Sequence, residues 1–148
     1  MWKTLFAKSP HYDGIRPFNI YFMRLIYILM VFVLGLDVWG HILTYEGVWE
    51  ENEAMAWSVW AAFSVLALVG IFRPVHMIPV LLLEIVYKLI WLVLVAYPLW
   101  QADRLVGSGL EETTFAFILV ILPILAIPWR YVFNRYIYTT KETQPSPG

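Results

Sequence analysis

The stretch MIPVLLLEIVYKLIWLVLVAYPLW, residues 77–100, decides how the chain is read. Only Glu84 and Lys88 carry charge in it, and it exceeds the ~20 residues a helix needs to cross about 30 Å of hydrocarbon. Val80–Val95 is apolar on nearly every side, as in a helix surrounded by lipid and other helices. The alternation of a barrel strand is missing.

Three further stretches read the same way: Phe18–Leu43, Ala54–Phe72 and Thr113–Val132. The sequence therefore predicts an all-α integral membrane protein, a four-transmembrane-helix bundle with helices over about 18–43, 54–72, 77–100 and 113–137. Residues 1–138 form one membrane domain, and the polar tail 139–148, with its two prolines, is expected to be disordered.

Composition agrees. The 148 residues are 61% hydrophobic and 14% charged, against about 45–50% and ~25% in ordinary soluble domains. Too few polar residues remain to cover a water-soluble monomer. The absence of cysteine excludes disulfides, thiolate metal sites, iron–sulfur clusters and a cysteine nucleophile. A net charge of -1 without any basic run excludes a nucleic-acid surface. The first apolar run is longer than the 7–15 residues typical of a signal peptide and no small-residue cleavage site follows, so it is expected to stay as an anchor.

Charge bias sets the expected orientation, because short cytoplasmic loops retain Lys and Arg. Lys3, Lys8, Arg16, Arg24, Arg73, Arg130, Arg135 and Lys141 fall on one side of the four spans. The other side holds only Arg104, beside Glu46, Glu50, Glu51, Glu53, Asp103, Glu111 and Glu112. Both termini are thus expected in the cytoplasm and the chain in a bacterial inner membrane. Arg73-Pro74-Val75-His76 is short enough to make helices two and three an antiparallel hairpin. Ser108 and Glu111 have capping-box spacing. On helix two, Ser58 and Ala62 give a small-xxx-small spacing for close helix contact.

Ionisable residues inside the spans are the candidates for chemistry, since an intramembrane charge costs at least ~2.5–3.5 kcal/mol at the bilayer centre. Glu84 and Lys88, four apart with the acid first, can neutralise each other on one helix face. Asp37 and His41 have the same spacing nearer the outer rim, with Trp39 between them. If helices one and three face each other, Asp37, Lys88 and Glu84 are expected to converge inside the bundle, with Trp39, Tyr87 and Trp91 as cavity lining. These four polar residues form the candidate intramembrane site. One His and one carboxylate are too few for a metal site, and His11, His41 and His76 are too scattered to straddle a haem. Pro123 and Pro128 are expected to kink helix four and to free the carbonyls of Leu119 and Ile124. Trp129, Arg130, Tyr131, Arg135, Tyr136 and Tyr138 read as an interfacial belt.

No nucleophile elbow, phosphate loop, HExxH or histidine box is present, and no catalytic residue or cofactor is assigned. The expected function is that of a small membrane protein of the interaction or accessory-subunit class, with intramembrane ion pairing stabilising the bundle. Its expected partners are the lipid bilayer and a homo-oligomer or larger membrane complex. The alternatives are a proton, ion or small-molecule transporter or channel using Asp37, His41, Glu84 and Lys88, and a lipid- or quinone-binding component.

Overall fold

The structure, a computed structural model, describes residues 14–138. It is helical throughout, with no strand among the described residues. Helix α1 runs Pro17–Thr44, α2 Glu51–Phe72 and α3 Ile78–Gln101. The pair α4 (Glu111–Ala126) and α5 (Trp129–Ile137) is bent by 76° at its break. Three helices are long and apolar enough to cross a membrane, or four if the bent pair counts as one span.

Local chemistry sets the helix ends. Pro17 and Pro79 sit in the first turns of α1 and α3, where a missing N–H is harmless. Glu51 and Glu53 in α2, and Glu111 and Glu112 in α4, occupy first turns, where the helix dipole favours negative charge. Helix α2 stops at Phe72, leaving Arg73 outside the helical region before Pro74.

The two long helices α1 and α2 lie antiparallel and very close. The Tyr27 hydroxyl donates to the Pro74 carbonyl at 3.1 Å. Further along, the Trp39 indole donates to the Ser64 hydroxyl at 3.0 Å, and that hydroxyl donates to the Ala61 carbonyl. Small residues permit the approach. A Cβ on Gly35 would meet Ser64 at 3.3 Å, and one on Gly70 would lie 2.6 Å from the Tyr27 ring. The contact row on α2 is therefore Ala61, Ser64, Ala67 and Gly70, all buried. Ser58 and Ala62 are exposed instead, because the actual row repeats every three residues from Ala61.

Tyr27, Met23, Ile20, Leu81, Ile78 and Ile127 are fully buried and form the centre of the core. Yet only 28%, 28% and 22% of the apolar windows of α1, α2 and α3 are buried inside the protein. The remainder is an apolar outer wall, which lipid covers at no hydrophobic cost.

Helix four departs from a simple kink. A loosened turn at Leu119–Val120 separates two helical pieces of α4, and the chain then swings at Ile127–Pro128. Both carbonyls that the prolines free find new donors: Leu119 accepts from the Leu122 N–H, and Ile124 from the Trp129 indole at 2.7 Å. The reciprocal Ser108–Glu111 box does not form either. The Leu110 N–H donates to the Ser108 hydroxyl, and the Gly107 N–H donates to the Glu111 carboxylate. Positive φ at Gly107 and Gly109 turns the loop so that each bond lands one residue away from the box pattern. Five-residue π-turns at Met30–Leu34 and Leu92–Ala96 interrupt α1 and α3, and one at Phe133–Ile137 ends α5.

Candidate functional site

Midway along α3, the Lys88 ammonium donates to Glu84 Oε1 at 2.7 Å. One helical turn separates the two residues, and the favourable order of acid before base lets both side chains relax onto one face. The ammonium also sits 5.6 Å from the centre of the Phe117 ring of α4, a distance at which the ring quadrupole attracts a cation. Tyr87 and Trp91 both approach Phe117 edge-on, and Tyr87 also packs on Phe63 of α2. These aromatics wedge the pair between α3 and α4. Glu84 Oε2 is buried without a hydrogen-bond partner among the described residues.

Asp37 is not brought to this pair. It is exposed on the outer face of α1, with no hydrogen bond or ion pair among the described residues. The expected Asp37–Lys88–Glu84 chain does not form. The reason lies in the α1–α2 contact: Gly35, Val38 and Trp39 turn toward α2, which rotates Asp37 outward. Trp39 is consequently held by Ser64 rather than lining a cavity.

His41 also parts from Asp37. Its ring stacks on Trp57 of α2, with centroids 3.9 Å apart and planes 12° from parallel. Tyr45 and Trp49 flank it at 5.4 and 5.8 Å, Tyr45 stacks on Trp49 at 3.9 Å, and Trp60 meets Trp57 edge-on. The flat indole offers more contact than the outward-turned carboxylate one turn back on the same helix, so the imidazole joins an aromatic stack. His41 Nε2 is buried without a partner among the described residues. This stack ties the 45–50 loop to the helix ends and leaves no Asp37–His41 pair.

A cavity of about 530 Å³ opens at the other end, where α1 begins and α4 breaks into α5. Arg16, Asn19, Arg130, Asn134 and Arg135 supply its polar lining, together with Trp129 and Tyr131. The Asn19 side-chain amide donates to the Ala126 carbonyl at 2.9 Å and fastens α1 to the break. In a regular helix Arg135 would point about 140° away from Arg130. The π-turn Phe133–Ile137 underwinds this stretch and narrows that offset, and both residues line the cavity.

Reading the arginines only as charge bias and interfacial anchors missed this site. The available signal was Pro128 followed by Arg130 and Arg135 with no acid between them, opposite Arg16 at the start of the first span. Comparison with protein-family models, with curated proteins and with solved structures gives no match, and the functional reading rests on the geometry above.

Proposed function

We propose that the chain is a four-helix bundle of the bacterial inner membrane, with both termini cytoplasmic, that acts as an interaction or accessory subunit. The observation that carries this reading is the outward placement of Asp37 in an apolar wall. Its neighbours on that face are Val33 and Leu36, 66% and 69% exposed. Counting 1.5 Å per residue, the carboxylate stands about 10 Å inside the end of α1. A lone carboxylate there costs free energy against lipid. A further transmembrane helix carrying a hydrogen-bond donor removes that cost, and Gly40, whose missing side chain leaves open space, lets such a helix come close. The self-contained Glu84–Lys88 pair supports the same reading, since it leaves no uncompensated charge in α3 for a relay.

Native mass spectrometry from lipid nanodiscs tests the proposal. The wild-type chain is expected as a stoichiometric complex, the mass identifying a second copy or a different chain. Asp37→Leu is expected to weaken it about three- to twentyfold, the range that interhelical hydrogen bonds of ~0.6–1.7 kcal/mol span. A monomeric wild type, or a complex untouched by Asp37→Leu, contradicts the proposal.

Orientation is tested separately, and the cysteine-free sequence makes it clean. Single substitutions Glu46→Cys and Ser108→Cys are expected to react with a membrane-impermeant maleimide on intact cells. His76→Cys and Asn134→Cys are expected to react only after permeabilisation. The reverse pattern inverts the topology, and labelling of positions 46 and 108 from opposite sides removes the four-span arrangement.

A further inference from the structure

We infer that the basic cavity between the start of α1 and the α4–α5 break binds a phosphate ester, carried by an anionic phospholipid headgroup or by a phosphorylated solute. Three guanidiniums, those of Arg16, Arg130 and Arg135, line one cavity, and none of its lining residues among the described ones is acidic. None of the three has an ion-pair partner among the described residues, where the salt bridge is that of Lys88 with Glu84. The described acids lie elsewhere, in the segments 46–53 and 103–112 or at Asp37 and Glu84. Asp13 and Glu142 fall outside the described residues, so binding must be measured on the full chain.

Like charges gathered on one concave surface repel each other, and the fold holds them there by specific bonds. The Asn19–Ala126 bond sets α1, and with it Arg16, against the break. The Trp129 indole bonded to Ile124 fixes the angle at which α5 leaves and carries Arg130 and Arg135. An anion offsets that repulsion. Carboxylates and phosphate esters both match the planar, doubly donating fork of arginine, and a phosphate, with more acceptor oxygens and up to two charges, can engage several of the three guanidiniums at once. Asn19 and Asn134 add neutral polar groups at the rim. At about 530 Å³ the cavity exceeds a bare phosphate, and falls within the ~300–1,000 Å³ common for small-molecule sites. Ile127, Pro128 and Trp129 give it an apolar wall suited to the glycerol or carbon portion of such an ester.

Isothermal titration of the full chain in uncharged detergent tests the inference, with dihexanoyl phosphatidylglycerol as one probe and inorganic phosphate as the other. Saturable binding of at least one probe is expected, weakening as salt is raised. Arg130→Gln and Arg135→Gln are each expected to lose about tenfold or more, the effect of a charge-assisted hydrogen bond. Arg130→Lys, which keeps the charge without the fork, is expected to fall between, and Arg104→Gln at the far end to bind as the wild type does. Binding of the phospholipid alone assigns the site to a headgroup, whereas inorganic phosphate that displaces the phospholipid assigns it to free phosphates. Absence of saturable binding of both probes overturns the inference. So does binding by folded Arg130→Gln and Arg135→Gln as tight as the wild type's, or an equal loss in Arg104→Gln.

Discussion

Replacing Glu84 by Gln, or Lys88 by Met, is expected to destabilise the folded chain by about 3–5 kcal/mol, because each change leaves its partner as an uncompensated buried charge. The double variant Glu84→Gln/Lys88→Met is expected to recover most of that loss and to lie within about 1 kcal/mol of the wild type, or above it. The 2.7 Å contact between Lys88 and Glu84 is the direct interaction at issue. Phe117 faces the ammonium at 5.6 Å, and a Met side chain, flexible and polarisable, can take the same place over the ring. Unfolding of the four proteins in mixed micelles forms a double-mutant cycle that isolates the pair. Additive losses, with the double variant the least stable, would show that the two residues do not depend on each other. The cycle also separates structure from chemistry: a double variant that folds and assembles normally has no need of either charge for function.

Gly70→Ala is expected to be the most damaging of the single-methyl additions. The new Cβ would lie 2.6 Å from Tyr27, whose ring is fully buried. That ring cannot step aside cheaply, since its hydroxyl donates to the Pro74 carbonyl and its faces are packed among α1, α2 and the turn. Overpacking of this kind costs roughly 1–3 kcal/mol, and here it acts on the contact that closes α1 onto α2. Gly70→Ala/Tyr27→Leu is expected to regain part of the loss by vacating the space. Gly40→Ala, with nothing within 4 Å of the new atom, is expected to be stabilising in the isolated chain by about 0.5–1 kcal/mol through helix propensity alone. Thermal unfolding of the three variants checks the order; a Gly70→Ala protein as stable as the wild type would remove the close-packing argument.

Much of the helical layout was legible because it follows from length and apolarity. The stretch 77–100 contains enough apolar residues to span a bilayer whatever its neighbours do, and Arg73-Pro74 fixes the end of α2 by a local steric rule. The Glu84–Lys88 contact was legible for the same reason, being an interaction within one helix. What the sequence did not reveal was rotation. Spacing places Asp37 and His41 on one face of α1, but which way that face points depends on Gly35 docking against Ser64 and on Trp39 reaching its hydroxyl. Those are contacts between helices. His41 likewise found Trp57, sixteen residues away, in preference to its own helical neighbour. The basic cavity was hidden twice over: it needs the large bend near Pro128, and a π-turn underwinds the segment that carries Arg135 to its wall. Proline signals a break without giving its angle.

The most direct single measurement is site-directed photocrosslinking in intact cells with a photoreactive residue at position 33, one turn before Asp37 on its outward face. Val93, exposed on α3, serves as the lipid-facing comparison. A discrete crosslinked product from position 33, absent at position 93 and lost in Asp37→Leu, is the expected result. Reaction with lipid alone at position 33, with no protein product, would contradict the interaction role.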